Sequence, residues 1–81
     1  MKQVGSVNHY YDKAGVAILL LEAPLKVGDR IKFEGHGADF EQSVTSLQMD
    51  RENIDSAAAG QQVGLKVDQP VKEGTVVSLV E

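Results

Sequence analysis

The chain has 81 residues, 42% of them hydrophobic, no cysteine, and 8 Lys plus Arg against 12 Asp plus Glu, for a net charge of −4. That length holds one domain with a modest core and no separate catalytic domain, and the lack of cysteine excludes a disulfide framework, thiolate chemistry and zinc sites built on thiolates. The acidic balance weighs against nonspecific nucleic-acid binding, which draws its affinity from a basic footprint.

Residues 1–81 read as a single all-β domain of six strands. Val4 to Tyr11 is the first, closed by the turn Asp12-Lys13-Ala14-Gly15. Val16 to Glu22 is the second, and Pro24 ends it because proline cannot donate to a ladder. In Leu25-Lys26-Val27-Gly28-Asp29, Leu25 and Val27 are expected to pin a loop on the core, Gly28 to supply a positive φ, and Asp29 to bond nearby backbone N–H groups. Asp29 to Glu34 alternates, with Ile31 and Phe33 on one side and Arg30, Lys32 and Glu34 on the other, the period of a half-buried strand. Gly35-His36-Gly37-Ala38-Asp39 reads as a hairpin turn.

Phe40 to Met49 reads as a fourth strand whose phase shifts, since Phe40 and Val44 share one parity and Leu47 and Met49 the other. A bulge near Thr45-Ser46 would reconcile them. Asp50 to Gly60 is polar with an alanine cluster. It is expected to be a loop with a helical turn, closed by Gly60 in the left-handed region. Val63, Leu65 and Val67 alternate inward on the fifth strand, which Gln69-Pro70 breaks, and Thr75 to Val80 is the last strand after the turn Lys72-Glu73-Gly74. Short strands punctuated by Gly and Pro predict a small, mostly antiparallel, closed β-barrel. The longest apolar run, Val16 to Leu21, falls far short of the ~20 residues a helix needs to cross a bilayer. Met1-Lys2-Gln3-Val4 has no signal-peptide core. A soluble cytoplasmic protein without membrane contact is the expectation.

No catalytic constellation emerges, and the chain is expected not to be an enzyme and to hold no cofactor or metal. The phosphate-cradling string Gly-x-x-x-x-Gly-Lys-Ser/Thr is absent, so GTP is not an expected ligand. His9 and His36, the two histidines, match no ligand spacing with Asp12 or Asp39. Ser6, Ser43, Ser46, Ser56 and Ser78 lack a nucleophile elbow. Asp39 and Glu41 share a strand face and read as a solvated acidic edge rather than the facing pair of a hydrolase. The second strand is apolar on both sides, with Val16, Ile18 and Leu20 on one and Ala17, Leu19 and Leu21 on the other. Either a loop or the chain ends cover its outer side, or Leu19 and Leu21, extended by Tyr10 and Tyr11, form an exposed patch for a protein partner or a second copy.

Ser46 to Leu65, where a strand enters a long connection ending in Ala-Gly before Val-Gly-Leu, together with Leu25 to Asp29, resembles the second domain of translation GTPases of the elongation factor Tu type. The chain also looks like small stand-alone translation-elongation-factor-like proteins, which carry a similar Gly-His-Gly-Ala-Asp-Phe hairpin. Similar barrels are attached to collagenase-like peptidases. The resemblance implies a non-catalytic binding module, a translation-linked adaptor touching RNA (the tRNA end) or the translation machinery. By that resemblance Gln48 falls where the family places a glutamate against the terminal adenosine, Arg51 on an arginine, and Gln62 on an asparagine that helps hold the aminoacyl group. Only Arg51 keeps the residue type, and Lys2 and Gln3 stand where the family carries acidic residues. The alternatives are a protein-interaction module, or an accessory subunit of an enzyme such as a collagenase-like peptidase.

Overall fold

The structure is a computed structural model that describes residues 2–80. Ten strands and no helix occur among them: β1 (Lys2–Tyr11), β2 (Val16–Leu21), β3 (Leu25–Lys26), β4 (Arg30–Gly35), β5 (Ala38–Ser43), β6 (Leu47–Met49), β7 (Glu52–Ile54), β8 (Ser56–Ala57), β9 (Gln62–Lys66) and β10 (Val76–Leu79). Eight form one antiparallel sheet in the order β5-β4-β10-β1-β2-β9-β6-β7, and β3 pairs with β8.

The first strand therefore lies inside the sheet, between β10 and β2. Its start pairs with the end of β10, Lys2 opposite Leu79. Alternation sends one face of each strand inward. Val4 and Val7, Ala17, Leu19 and Leu21, Ile31 and Phe33, Leu47, Val63 and Leu65, and Val77 meet in a single core. The expected inward sets Ile31/Phe33 and Val63/Leu65/Val67 are buried. Phe33 stacks on Phe40 with ring centroids 4.9 Å apart. At Gly5 the strands β1 and β2 approach so closely that a Cβ would sit 2.5 Å from the Leu20 carbonyl oxygen.

The all-β reading holds; the closed six-stranded barrel does not. The hydrogen-bonded ladder ends at β5 on one side and β7 on the other. The sheet curls, and a side chain stands where a ladder would have closed it. Gln42 of β5 is 4% exposed. Its Nε2 donates to the Lys66 carbonyl at 2.8 Å, and its Oε1 accepts from the Asp68 N–H at 2.8 Å. The β5 edge is thereby fastened across the end of β9 through one amide rather than a row of backbone bonds.

The anticipated fourth strand is two strands at opposite ends of the sheet. Phe40 lies in β5, paired with β4, and Met49 in β6, paired with β7 and β9. The parity change marks a departure rather than a bulge: the Val44 N–H donates to the Asp29 carbonyl at 2.7 Å, and the Val44 carbonyl accepts from the Gly28 N–H at 2.9 Å, so the chain leaves the sheet around the turn before β4. The irregular registers lie instead in β1, between Gln3 and Gly5 and between Val7 and His9.

Asp50 to Gly60 contains no helical turn but the short strands β7 and β8. In the Leu25–Asp29 segment, Gly28 has φ 100° and an Asp29 Oδ2 accepts from the Lys26 N–H at 3.1 Å. Leu25 pins this loop and is 1% exposed, whereas Val27 is 40% exposed and does not.

Candidate functional site

In an antiparallel ladder, residues directly opposite one another share a face. The outer face can therefore be read off the register. One row runs Tyr11, Val16, Lys66; the next runs His9, Ile18, Gly64, Gln48, Asn53. Val16 and Ile18 are half-buried, and Leu20 is 41% exposed. The inward set is Ala17, Leu19 and Leu21. This corrects the expectation for Leu19 and Leu21: both are in the core, 0% and 2% exposed, because Leu19 pairs with Val63 and Val7 on the buried side. The outward apolar strip on β2 is the other parity.

Gly64 interrupts that surface. Lying between Ile18 and Gln48 with no side chain, it leaves a shallow groove whose floor is Val16, Ile18 and Gly64. Tyr11, 52% exposed, stands at one end, and Gln62 and the β6–β7 turn border the other. Gln48 lines the groove and donates from Nε2 to the Asn53 Oδ1 at 3.1 Å. The turn itself is a two-residue hairpin connection between Met49 and Glu52, with Asp50 at φ 53° and Arg51 at φ 67°. Left-handed geometry at both central residues is what a type I′ hairpin turn requires, and Asn-Gly is the pair that meets it most easily. Asp-Arg occupies it here.

Gln48, Arg51 and Gln62 thus converge on one groove, together with Tyr11. Tyr10 does not join them. It lines a separate groove with His9, His36, Val71, Lys72 and Glu73. The His9 ring also meets the Tyr11 ring edge-on, centroids 4.5 Å apart. His36, at φ 53°, lies over Gly74, where a Cβ would come within 2.8 Å of its Nε2. Among the described residues no group of three His, Asp or Glu side chains could hold a metal ion. A third groove, beside β3 and β8, includes Asp29 and Gln61. Both are engaged within turns, Asp29 as above and the Gln61 Oε1 by accepting from the Ala58 N–H at 2.8 Å.

Charge is distributed unevenly. Asp39 and Glu41 meet basic residues of β4 diagonally across the ladder: Arg30 Nε lies 3.2 Å from Glu41, and Lys32 Nζ lies 3.6 Å from Asp39 and 3.7 Å from Glu34. Among the described residues Arg51 and Lys66, at the Gly64 groove, have no carboxylate within salt-bridge distance. The groove floor, Val16, Ile18 and Gly64, was not singled out from sequence. The signal that could have found it is Gly64 itself, a glycine inside an alternating strand, which often marks a close approach by a ligand or another backbone.

No family model matches the chain. It is 34% identical over 80 residues to an uncharacterized protease of Methanocaldococcus jannaschii; the match takes in 98% of this chain and 20% of that protein, so the chain spans about one fifth of its relative's length. Its fold is that of the C-terminal domain of a Geobacillus thermoleovorans protein named as a U32 peptidase, with a TM-score of 0.92 at 22% identity over 99% of this chain and 93% of that domain. The selenomethionine form of the same domain gives a TM-score of 0.91 at 23% identity, over 96% and 99%. These matches correct the expectation of an elongation-factor second domain, because the relatives are a protease and a peptidase domain. They favour the peptidase context that the sequence resemblance also offered.

Proposed function

We propose that this chain is a non-catalytic accessory domain of the kind appended to U32 peptidases, a module that binds protein and leaves bond cleavage to another domain or subunit. The observation that supports this reading is the combination of near-complete overlay on a peptidase C-terminal domain with 34% identity to one fifth of a protease. The acidic net charge weighs against a phosphate backbone as the partner.

The test is assembly. The tagged chain is mixed with a U32 peptidase lacking its own C-terminal domain and run on size-exclusion chromatography. A stoichiometric complex is expected, with no hydrolysis of gelatin or unfolded casein by the chain alone. Peptide turnover by the isolated chain, or separate elution at every concentration tried, overturns the proposal.

A further inference from the structure

The geometry points to the groove over Gly64 as a site for an extended, acidic polypeptide segment: an aliphatic side chain rests on Val16, Ile18 and Gly64, and carboxylates meet Arg51 and Lys66. This deepens the accessory-domain reading and rests on it.

Three observations carry it. First, the fold does not require glycine at position 64. Its φ is not positive, and an added Cβ would meet Val16 Cγ1 at 3.4 Å and Ile18 Cδ1 at 3.6 Å, ordinary contact distances. Gly5, where a Cβ would strike backbone at 2.5 Å, shows what internal necessity looks like in the same sheet. A glycine weakens a strand interior through lost packing and backbone entropy. At position 64 it leaves the outer face low between Ile18 and Gln48, so that the ends of Val16 and Ile18 lie over bare backbone and form the floor of the groove.

Second, the charges at this gap complement an acidic ligand. Arg51 and Lys66 border it, and Asp50 is the one carboxylate there. Among the described residues only Arg30 and Lys32 are paired with acids; of the remaining cations, Arg51 and Lys66 are the two that line this gap. Third, Arg51 is held in a left-handed conformation that glycine or asparagine would adopt more easily. Backbone strain of this kind clusters at binding sites. The half-buried aliphatic floor gives the occupant its apolar side chain, and the two cations give it its acid.

The experiment uses a fluorescein-labelled synthetic peptide alternating Asp or Glu with Leu or Ile, and a counterpart with Lys replacing each acid. Each is titrated with the chain by fluorescence anisotropy. The acidic peptide is expected to bind, more weakly as salt rises, and the Lys counterpart not to. Gly64→Val covers the floor, its γ-methyls displacing the ends of Val16 and Ile18, and should abolish saturable binding while keeping the wild-type circular dichroism; Gly64→Ala, whose Cβ meets those atoms at 3.4 and 3.6 Å, is the milder counterpart and should weaken binding. Arg51→Glu, on an exposed turn, should weaken the acidic peptide by about tenfold, the effect of one charged contact.

The inference is overturned if Gly64→Val, still folded, binds like wild type. It is also overturned if the Lys peptide binds equally well, if neither peptide saturates, or if a single-stranded oligonucleotide binds more tightly than the acidic peptide. A chain that assembles with the truncated peptidase yet ignores the acidic peptide removes this inference and leaves the accessory role standing. Failure of assembly removes the accessory role itself.

Discussion

Replacing Gln42 by leucine isolates the closure of the curled sheet. The side chain is 4% exposed and makes two hydrogen bonds of 2.8 Å, one to the Lys66 carbonyl and one from the Asp68 N–H. Leucine has similar bulk, so packing changes little and the loss is chiefly polar. Each backbone group left without its partner costs about 1–3 kcal/mol. Lys66 and Asp68 are exposed enough for water to compensate in part. The low end then applies to each, and the sum is about 2 kcal/mol.

At roughly 0.05–0.15 kcal/mol per residue, the whole domain is worth about 4–12 kcal/mol, so one amide carries a sizeable share. For a domain of this size the melting temperature should fall by about 8–16 °C. Calorimetry and urea unfolding measure both quantities. A melting temperature within about 3 °C of wild type would refute the idea that Gln42 fastens β5 to β9. The variant Gln42→Glu sharpens the test. Ionised, it cannot donate to the Lys66 carbonyl; protonated, it can. Facing a carbonyl in a buried site raises the carboxyl's folded-state pKa above its unfolded value. Its contribution is then present at low pH and lost as pH rises through the folded pKa. Gln42→Glu should therefore gain stability relative to wild type on acidification.

Gly5→Ala should destabilise by about 2–3 kcal/mol, since the colliding atoms are backbone and cannot rotate away; an unchanged urea midpoint would contradict the close approach of β1 and β2. Thr75→Val is nearly isosteric at a fully buried position. It removes a hydroxyl that donates to the Gly35 carbonyl and accepts from the Lys72 N–H, each at 3.3 Å, so a loss of about 1–2 kcal/mol by chemical denaturation is expected. Arg51→Gly should raise stability by about 1 kcal/mol by relieving the left-handed turn, with thermal melting as the readout, while weakening the acidic peptide. Lys32→Met removes two surface ion pairs and should cost less than about 1 kcal/mol, seen as a small and salt-sensitive change in melting temperature.

The legible parts of the fold were those where one face of a strand is apolar and the other is not. Ile31 and Phe33 on β4, and Val63, Leu65 and Val67 toward β9, announce their burial by alternation alone. On β2 both parities are apolar, and only the register opposite Val7 and Val63 decides that Leu19 goes inward and Ile18 outward. No single-strand pattern contains that information. The split of residues 40–49 shows in the sequence only as a parity change, because a bulge and a crossing between sheet ends leave the same local trace. The strands β7 and β8 escaped because residues 52–57 show little hydrophobic alternation and are held by backbone pairing. Gln42 is invisible as a closing element until β5 and β9 are seen together. Gln48, Arg51 and Gln62 were picked out through a likeness that the comparisons overturn, yet they border the same groove because all three lie on β6, β9 and the turn between β6 and β7.

The pairing of Lys2 with Leu79 has a consequence for how such a unit can be joined to other protein. The first and last paired residues of the sheet stand side by side, separated by about 5 Å, the width of one ladder step. A larger polypeptide could carry the unit on either flank, or splice it into an existing surface loop, without stretching its own backbone. The ten residues of β1 then act as a spacer. Tyr11 and the Val16 end of the groove lie a strand's length from the attachment point, about 30 Å at ~3.3 Å per residue.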